Sequence, residues 1–338
     1  MNKHNCQAEG YPPVQYTDRQ NRDRSLIKKL SIMASLAVLG YVGLSSLFTF
    51  ILLTDRANVL YFGNEYFRAS FDIFLTVICI GIPFYVVYAF LKKRMAINIL
   101  PLGKPGKKSG LPLIIIAGFA ACLIGSVISA YISVFFDFFG VEFTAPNIGT
   151  PVTVPGFLMN IVRAAIIPAL IEEFAMRGVV MQPLRRFGDV FAILMSSFVF
   201  ALMHGNMVQI PFAFVAGIAL GYAVIATGSV WTGIIIHTIN NLLAVTLEFV
   251  QNSVDEDMFV IISNVAFGAV ILPGIAAGVI YYMKYKPLKL YKNRECPKKL
   301  LFKNYFLTIP MLAAIGYMIY VTILFIDFSG FSEWIKSL

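Results

Sequence analysis

Charge is scarce in this chain: Asp, Glu, Lys and Arg make up 13% of its 338 residues, while 58% are apolar. A soluble domain carries about 25% charged residues, so the shortage excludes an ordinary water-soluble globule and points to a bilayer. Cysteine is scarcer. Cys6, Cys79, Cys122 and Cys296 show no paired spacing, which argues against a disulfide framework or a thiolate zinc site and leaves free thiols. Histidine is scarcer still, with His4 in a polar N-terminal stretch and His204 and His237 in apolar ones. The helix-borne His-Glu-x-x-His zinc signature is missing. No serine or cysteine stands with a histidine in the arrangement that a covalent nucleophile uses.

What the chain does have is apolar runs. Crossing about 30 Å of hydrocarbon takes about 20 helical residues. Runs of that kind fall at 28–53, 70–91, 111–139, 156–180, 189–204, 208–226, 229–250, 258–283 and 304–326. Backbone polar groups must be satisfied within the segment in lipid, so the expected fold is an all-α polytopic transmembrane bundle of about nine spans (eight to nine). The first run lacks a small-residue cleavage pattern and reads as a retained anchor. The chain divides into a polar, disordered cytoplasmic tail over 1–25, three N-terminal transmembrane helices over 26–150, a core of four over 151–250 and two more over 251–338.

The net charge is +9, and its distribution along the chain explains it. Basic clusters sit at Arg19, Arg22, Arg24, Lys28 and Lys29, between Lys92 and Lys108, at Arg185 and Arg186, and between Lys284 and Lys303. Alternate loops carry Asp255, Glu256 and Asp257, or almost no charge. This is the positive-inside pattern with the N-terminus cytoplasmic, so the expected partner is the lipid bilayer and not nucleic acid.

An ionisable residue within a span costs about 2.5–3.5 kcal/mol on insertion scales, so each one needs a reason. The fourth run holds Arg163, Glu172, Glu173 and Arg177. Glu173 and Arg177 are four apart on one helix face, which predicts a structural ion pair. Glu172 lies about 100° around the helix and is expected to point at a different neighbour. Pro168, four residues earlier, should kink the helix and free a carbonyl where the carboxylates enter. Phe200 is one turn before His204 and is expected to pack on its imidazole, and Asn241 is one turn after His237 on the same face. Taken singly, each residue has a structural explanation as interhelical glue. Together they supply a base, proton carriers and hydrogen-bond donors for hydrolysis from three nearby spans.

At these residues the sequence resembles the CAAX protease and bacteriocin-processing family of intramembrane endopeptidases, which includes type II CAAX prenyl endopeptidases. Two glutamates, three residues and an arginine are met by Glu172, Glu173 and Arg177. Phenylalanine, three residues and histidine are met by Phe200 and His204, and histidine, three residues and asparagine by His237 and Asn241. The resemblance spans roughly residues 155–245, with Gly178, Gly217, Gly221 and Trp231 between the motifs. It implies an endopeptidase acting on a membrane-associated protein or peptide in a multi-pass, plausibly bacterial, plasma membrane. In that reading Glu172 and His204 activate water, His237 and Asn241 form the oxyanion hole, and Glu173, Arg177 and Phe200 support them. No cofactor is expected. The rival within the same chemistry is a zinc enzyme with Glu172, His204 and His237 as ligands. The rivals outside it are a proton relay in a transporter or immunity protein, and a structural scaffold.

Helix counting leaves one discrepancy. At about 1.5 Å per residue Glu172 and His237 lie roughly 12 Å deep, but His204 comes out nearer 20 Å. Either the Arg185–Arg186 turn dips inward or the fifth run is tilted.

Overall fold

The computed structural model describes residues 18–52, 54–95, 100–106, 110–146, 153–285, 289–293, 297–331 and 334. Its architecture is all-α and membrane-spanning. Helix α1 covers Asp18–Leu52, α2 Asp55–Gly63, α3 Glu65–Arg94, α4 Leu111–Asp137, α5 Val154–Phe187 and α6 Asp189–Met203. There follow α7 over Ile210–Thr227, α8 over Val230–Gln251, α9 over Glu256–Tyr285, α10 over Lys298–Phe306 and α11 over Ile309–Ile323. Among the described residues the sheet content is one antiparallel pair, β1 (Glu142–Phe143) with β2 (Ile326–Asp327).

Three expectations are refined. First, among the described residues seven helices are long and apolar enough to cross a membrane, or up to eight if α10 and α11, bent by 70°, make one broken span, which meets the lower end of the eight to nine expected. The fifth run is the difference: α6 has 15 residues, about 22 Å at 1.5 Å per residue and short of the hydrocarbon thickness. Second, α1 starts at Asp18, so residues 18–25 are helical where disorder was expected, and its inner turns are tied down, with Asp23 buried and paired with Arg186 at 3.6 Å. Residues 1–17 of the expected tail lie outside the described residues. Third, α2 is a short helix that the apolar runs did not show.

Polarity is arranged for lipid. Large apolar side chains such as Phe50, Leu272 and Met283 stand exposed on the bundle surface, while small residues bring helices together inside it, as expected where packing rather than water exclusion drives association. A Cβ on Gly274 of α9 would come 2.0 Å from the Cβ of Ala120 in α4, and one on Gly217 of α7 would come 2.8 Å from Ser197 in α6. Helices α5 to α8 form the centre, and α1, α3, α4 and α9 pack around it. Cys79 and Cys122 are buried free thiols, as expected. Cys6 and Cys296 lie outside the described residues.

Helix α5 is continuous but not uniform. Two stretches, Ile161–Ile166 and Phe174–Val180, wind as wider π turns, flanking the seven residues that contain Pro168, Glu172 and Glu173. Such turns absorb a missing N–H without breaking the helix. Pro168 therefore does not interrupt α5, and the carbonyl four residues before it, Ala164 O, accepts a hydrogen bond from Asn241 Nδ2 at 3.2 Å.

Candidate active site

Glu173 and Arg177 form the base of the site. Their side chains are 0% and 1% exposed, and Arg177 Nη1 lies 3.0 Å from Glu173 Oε1. This is the ion pair the spacing predicts. Arg177 Nη2 also donates to Gly217 O at 3.3 Å, and its guanidinium stacks over the Phe200 ring at 4.8 Å, a favourable place for a desolvated cation. Glu173 reaches past the pair: His237 Nδ1 donates to Glu173 Oε1 at 3.0 Å. A carboxylate on Nδ1 fixes both the tautomer and the tilt of an imidazole, leaving Nε2 to work. Glu173 Oε2 has no hydrogen-bond partner, and a Cβ on Gly233 would sit 2.7 Å from it, so the glycine makes room for the carboxylate.

Glu172 shares its neighbour with Glu173, contrary to the helical-wheel expectation. Its Oε2 lies 3.8 Å from His237 Nε2, and the side chain is 19% exposed. The two glutamates bracket one imidazole because α8 packs against α5 and places His237 between them. On Nε2 the contact is too long for a hydrogen bond.

His204 follows the last turn of α6, and Gly205 after it has φ +62°. Its Nδ1 donates to Phe200 O at 2.8 Å, which fixes the tautomer and leaves Nε2 as an acceptor in the neutral ring. Phe200 meets His204 edge-on at 4.9 Å between centroids and His237 at 5.8 Å. One ring thus spaces both histidines and carries the arginine. The short α6 starts at a turn held by Asp189, which is 3% exposed, pairs with Arg185 at 2.8 Å and accepts from Tyr291 N, and its far end brings His204 to the cavity.

Asn241 behaves differently from the expectation of two donors pointing one way. One amide N–H is taken by Ala164 O, and its Oδ1 accepts from Asn240 Nδ2 at 3.2 Å. The second N–H remains for another acceptor.

A cavity of about 640 Å³ joins these groups, with Glu172, His204, His237 and Asn241 on its wall, and Asp72 and Arg163 farther along it. Nine residues of α5 separate Arg163 from Glu172, about 13 Å. Arg163 Nη1 pairs with Asp72 Oδ2 at 2.8 Å, and its Nε donates to Asn160 Oδ1 at 2.7 Å. Tyr61 OH donates to Asp72 Oδ1 at 2.9 Å. Sequence reasoning singled out Arg163 but missed Asp72, although an aspartate within an apolar run carries the same warning of cost. It also missed Gln209, which lines the cavity from a loop where a polar residue is ordinary.

Among the described residues no group of three His, Cys, Asp or Glu is placed to hold a metal ion. Both histidine Nδ1 atoms are engaged with protein acceptors, which leaves Nε2 as the remaining nitrogen of each ring.

Residues 154–243 match a known family, described as type II CAAX prenyl endopeptidase Rce1-like, which is a family of proteases. The matched segment begins with α5 and ends two residues beyond Asn241, so it holds Glu172, Glu173, Arg177, Phe200, His204, His237 and Asn241. No curated protein and no solved structure matches the chain.

Proposed function

We propose, from the premise that over residues 154–243 the chain belongs to the type II CAAX prenyl endopeptidase Rce1-like family, that it hydrolyses a peptide bond of a membrane-associated protein or peptide, of CAAX type or of bacteriocin or pheromone type. The observation that carries the reading is the unequal setting of the two glutamates. Glu173 is sealed against Arg177 and His237, while Glu172 faces the cavity beside the bare Nε2 of His204.

The chemistry follows from those positions. Glu172 takes a proton from a water that His204 Nε2 helps to orient, and the water oxygen bonds to the scissile carbonyl carbon. His237 Nε2 and the second amide N–H of Asn241 donate to the developing oxyanion. In this reading His237 donates from both ring nitrogens, Nδ1 to Glu173 Oε1 and Nε2 to the oxyanion. The C–N bond then breaks, and the leaving amine takes the proton back from Glu172, directly or through His204. Glu173 and Arg177 hold His237, and Phe200 holds both histidines. No metal enters these steps. The basic clusters that flank the spans favour a cytoplasmic N-terminus.

The test is cleavage of a quenched fluorescent peptide library, with and without a lipidated cysteine, by detergent-purified protein. The wild type should cleave, Glu172→Gln should lose about 10²- to 10⁴-fold in rate, the scale of a removed general base, and a strong chelator should leave the wild type active. Loss on chelation would replace the proposed water activation by a metal-bound one. No cleavage by folded wild type would leave the proton-relay and scaffold readings.

A further inference from the structure

A second cavity, of about 180 Å³, lies against the site and is lined by Tyr41, Ile80, Glu172, Met176, Phe200, Met203, His204 and Gln209. Glu172, Phe200, His204 and Gln209 also line the large cavity. The base and its histidine are therefore the wall between two compartments. The large one has Asn241, His237 and the Arg163 cluster beyond the wall, and its size suits a peptide segment. The small one is closed by Tyr41 from α1 and Ile80 from α3, both outside the segment that carries the family match.

We propose that the small cavity is the water compartment of the hydrolase and that Tyr41 is a positioning residue for the nucleophilic water. The proposal rests on the function argued above. A site within apolar helices has no bulk water at hand, and a substrate lying over Glu172 from the large cavity covers that approach. A volume of about 180 Å³ holds several waters, each of which needs two to four polar partners. The Tyr41 phenol, the Glu172 carboxylate, His204 and the Gln209 amide line the cavity and supply them. A hydroxyl opposite the carboxylate can hold a water between them in line with the wall, ready to lose its proton to Glu172 when a carbonyl arrives from the other side. Water-mediated links of this kind are nearly as favourable as direct ones.

Two variants test it on the peptide that the wild type cleaves best. Tyr41→Phe keeps the ring and removes the hydroxyl, and Ile80→Phe fills the cavity without touching the polar groups. Each should lower kcat by about 10- to 100-fold, the cost of a misplaced reactant, with KM within about twofold of wild type. A kcat within twofold of wild type for both folded variants overturns the proposal. A change confined to KM or to which side chain is accepted also overturns it, because it would make the compartment a pocket for substrate. Should wild type cleave and Glu172→Gln cleave equally well, the function reading fails. Should those two behave as expected while Tyr41→Phe and Ile80→Phe cleave normally, this inference alone fails.

Discussion

Neighbouring glutamates on α5 occupy opposite kinds of surroundings. Glu173 is fully buried, with its Arg177 partner 3.0 Å away and an imidazole on the same oxygen. Glu172, one residue earlier, is 19% exposed and borders two cavities. The side chains are chemically identical, so the contrast comes from what the other helices place around them. A carboxylate sealed with its counter-ion is a structural element whose loss strands a buried charge. A carboxylate at the edge of two cavities, 3.8 Å from an imidazole nitrogen, is placed where it can exchange a proton.

Substituting each glutamate by glutamine gives the sharpest separation of these roles. Glu172→Gln should lose about 10²- to 10⁴-fold in cleavage rate while the thermal unfolding midpoint in detergent stays at the wild-type value. Glu173→Gln should lower that midpoint substantially, because Arg177 and His237 then face an uncharged amide and breaking a buried pair costs about 3–5 kcal/mol. If Glu172→Gln destabilised the protein as much as Glu173→Gln, the division between a working and a structural carboxylate would not stand. A smaller effect is expected at Gly233, where an added methyl would come 2.7 Å from Glu173 Oε2. Gly233→Ala should cost about 1–3 kcal/mol as overpacking and lower cleavage by displacing Glu173 from His237 Nδ1. A normal midpoint together with normal cleavage would show that the carboxylate has room to move.

Much of this arrangement was legible in the sequence because the penalty for polarity in lipid makes polar residues conspicuous. Arg163, Glu172, Glu173, Arg177, His204 and His237 stood out on that ground alone, and the i to i+4 spacings gave the Glu173–Arg177 pair and the Phe200–His204 contact correctly. Helical phase misled at two points. It separated Glu172 from Glu173, because a wheel describes one helix and cannot show an imidazole inserted from α8. It also could not show that one Asn241 N–H is taken by Ala164 O, because that carbonyl, four residues before Pro168, lies on another helix. The fifth run folds as α6, whose 15 residues are too few to count among the long apolar helices, so the span count falls to the lower end of the eight to nine expected. Tyr41 gave no signal, as a tyrosine in the first run is unremarkable until α1 is seen to close the small cavity.

The Arg163–Asp72 pair extends the comparison to the far part of the large cavity and carries the smallest expected effect. Its partners lie on separate helices, and Asp72 is 19% exposed, so water and Tyr61 share in satisfying it. Asp72→Asn keeps an oxygen for Arg163 and removes only the charge. The midpoint should fall by an amount corresponding to about 1 kcal/mol, the ordinary scale for weakening one hydrogen bond. The cleavage rate should stay within about twofold of wild type, because the pair lies about 13 Å along α5 from Glu172. A rate loss as large as that of Glu172→Gln would mean that charge at this distance sets the chemistry, and the site would then have to be redrawn along the length of the cavity. A small loss in stability with cleavage intact would mark Arg163 and Asp72 as the bracing that holds α3 against α5 while the reaction is confined to the bracketed imidazole and its exposed carboxylate.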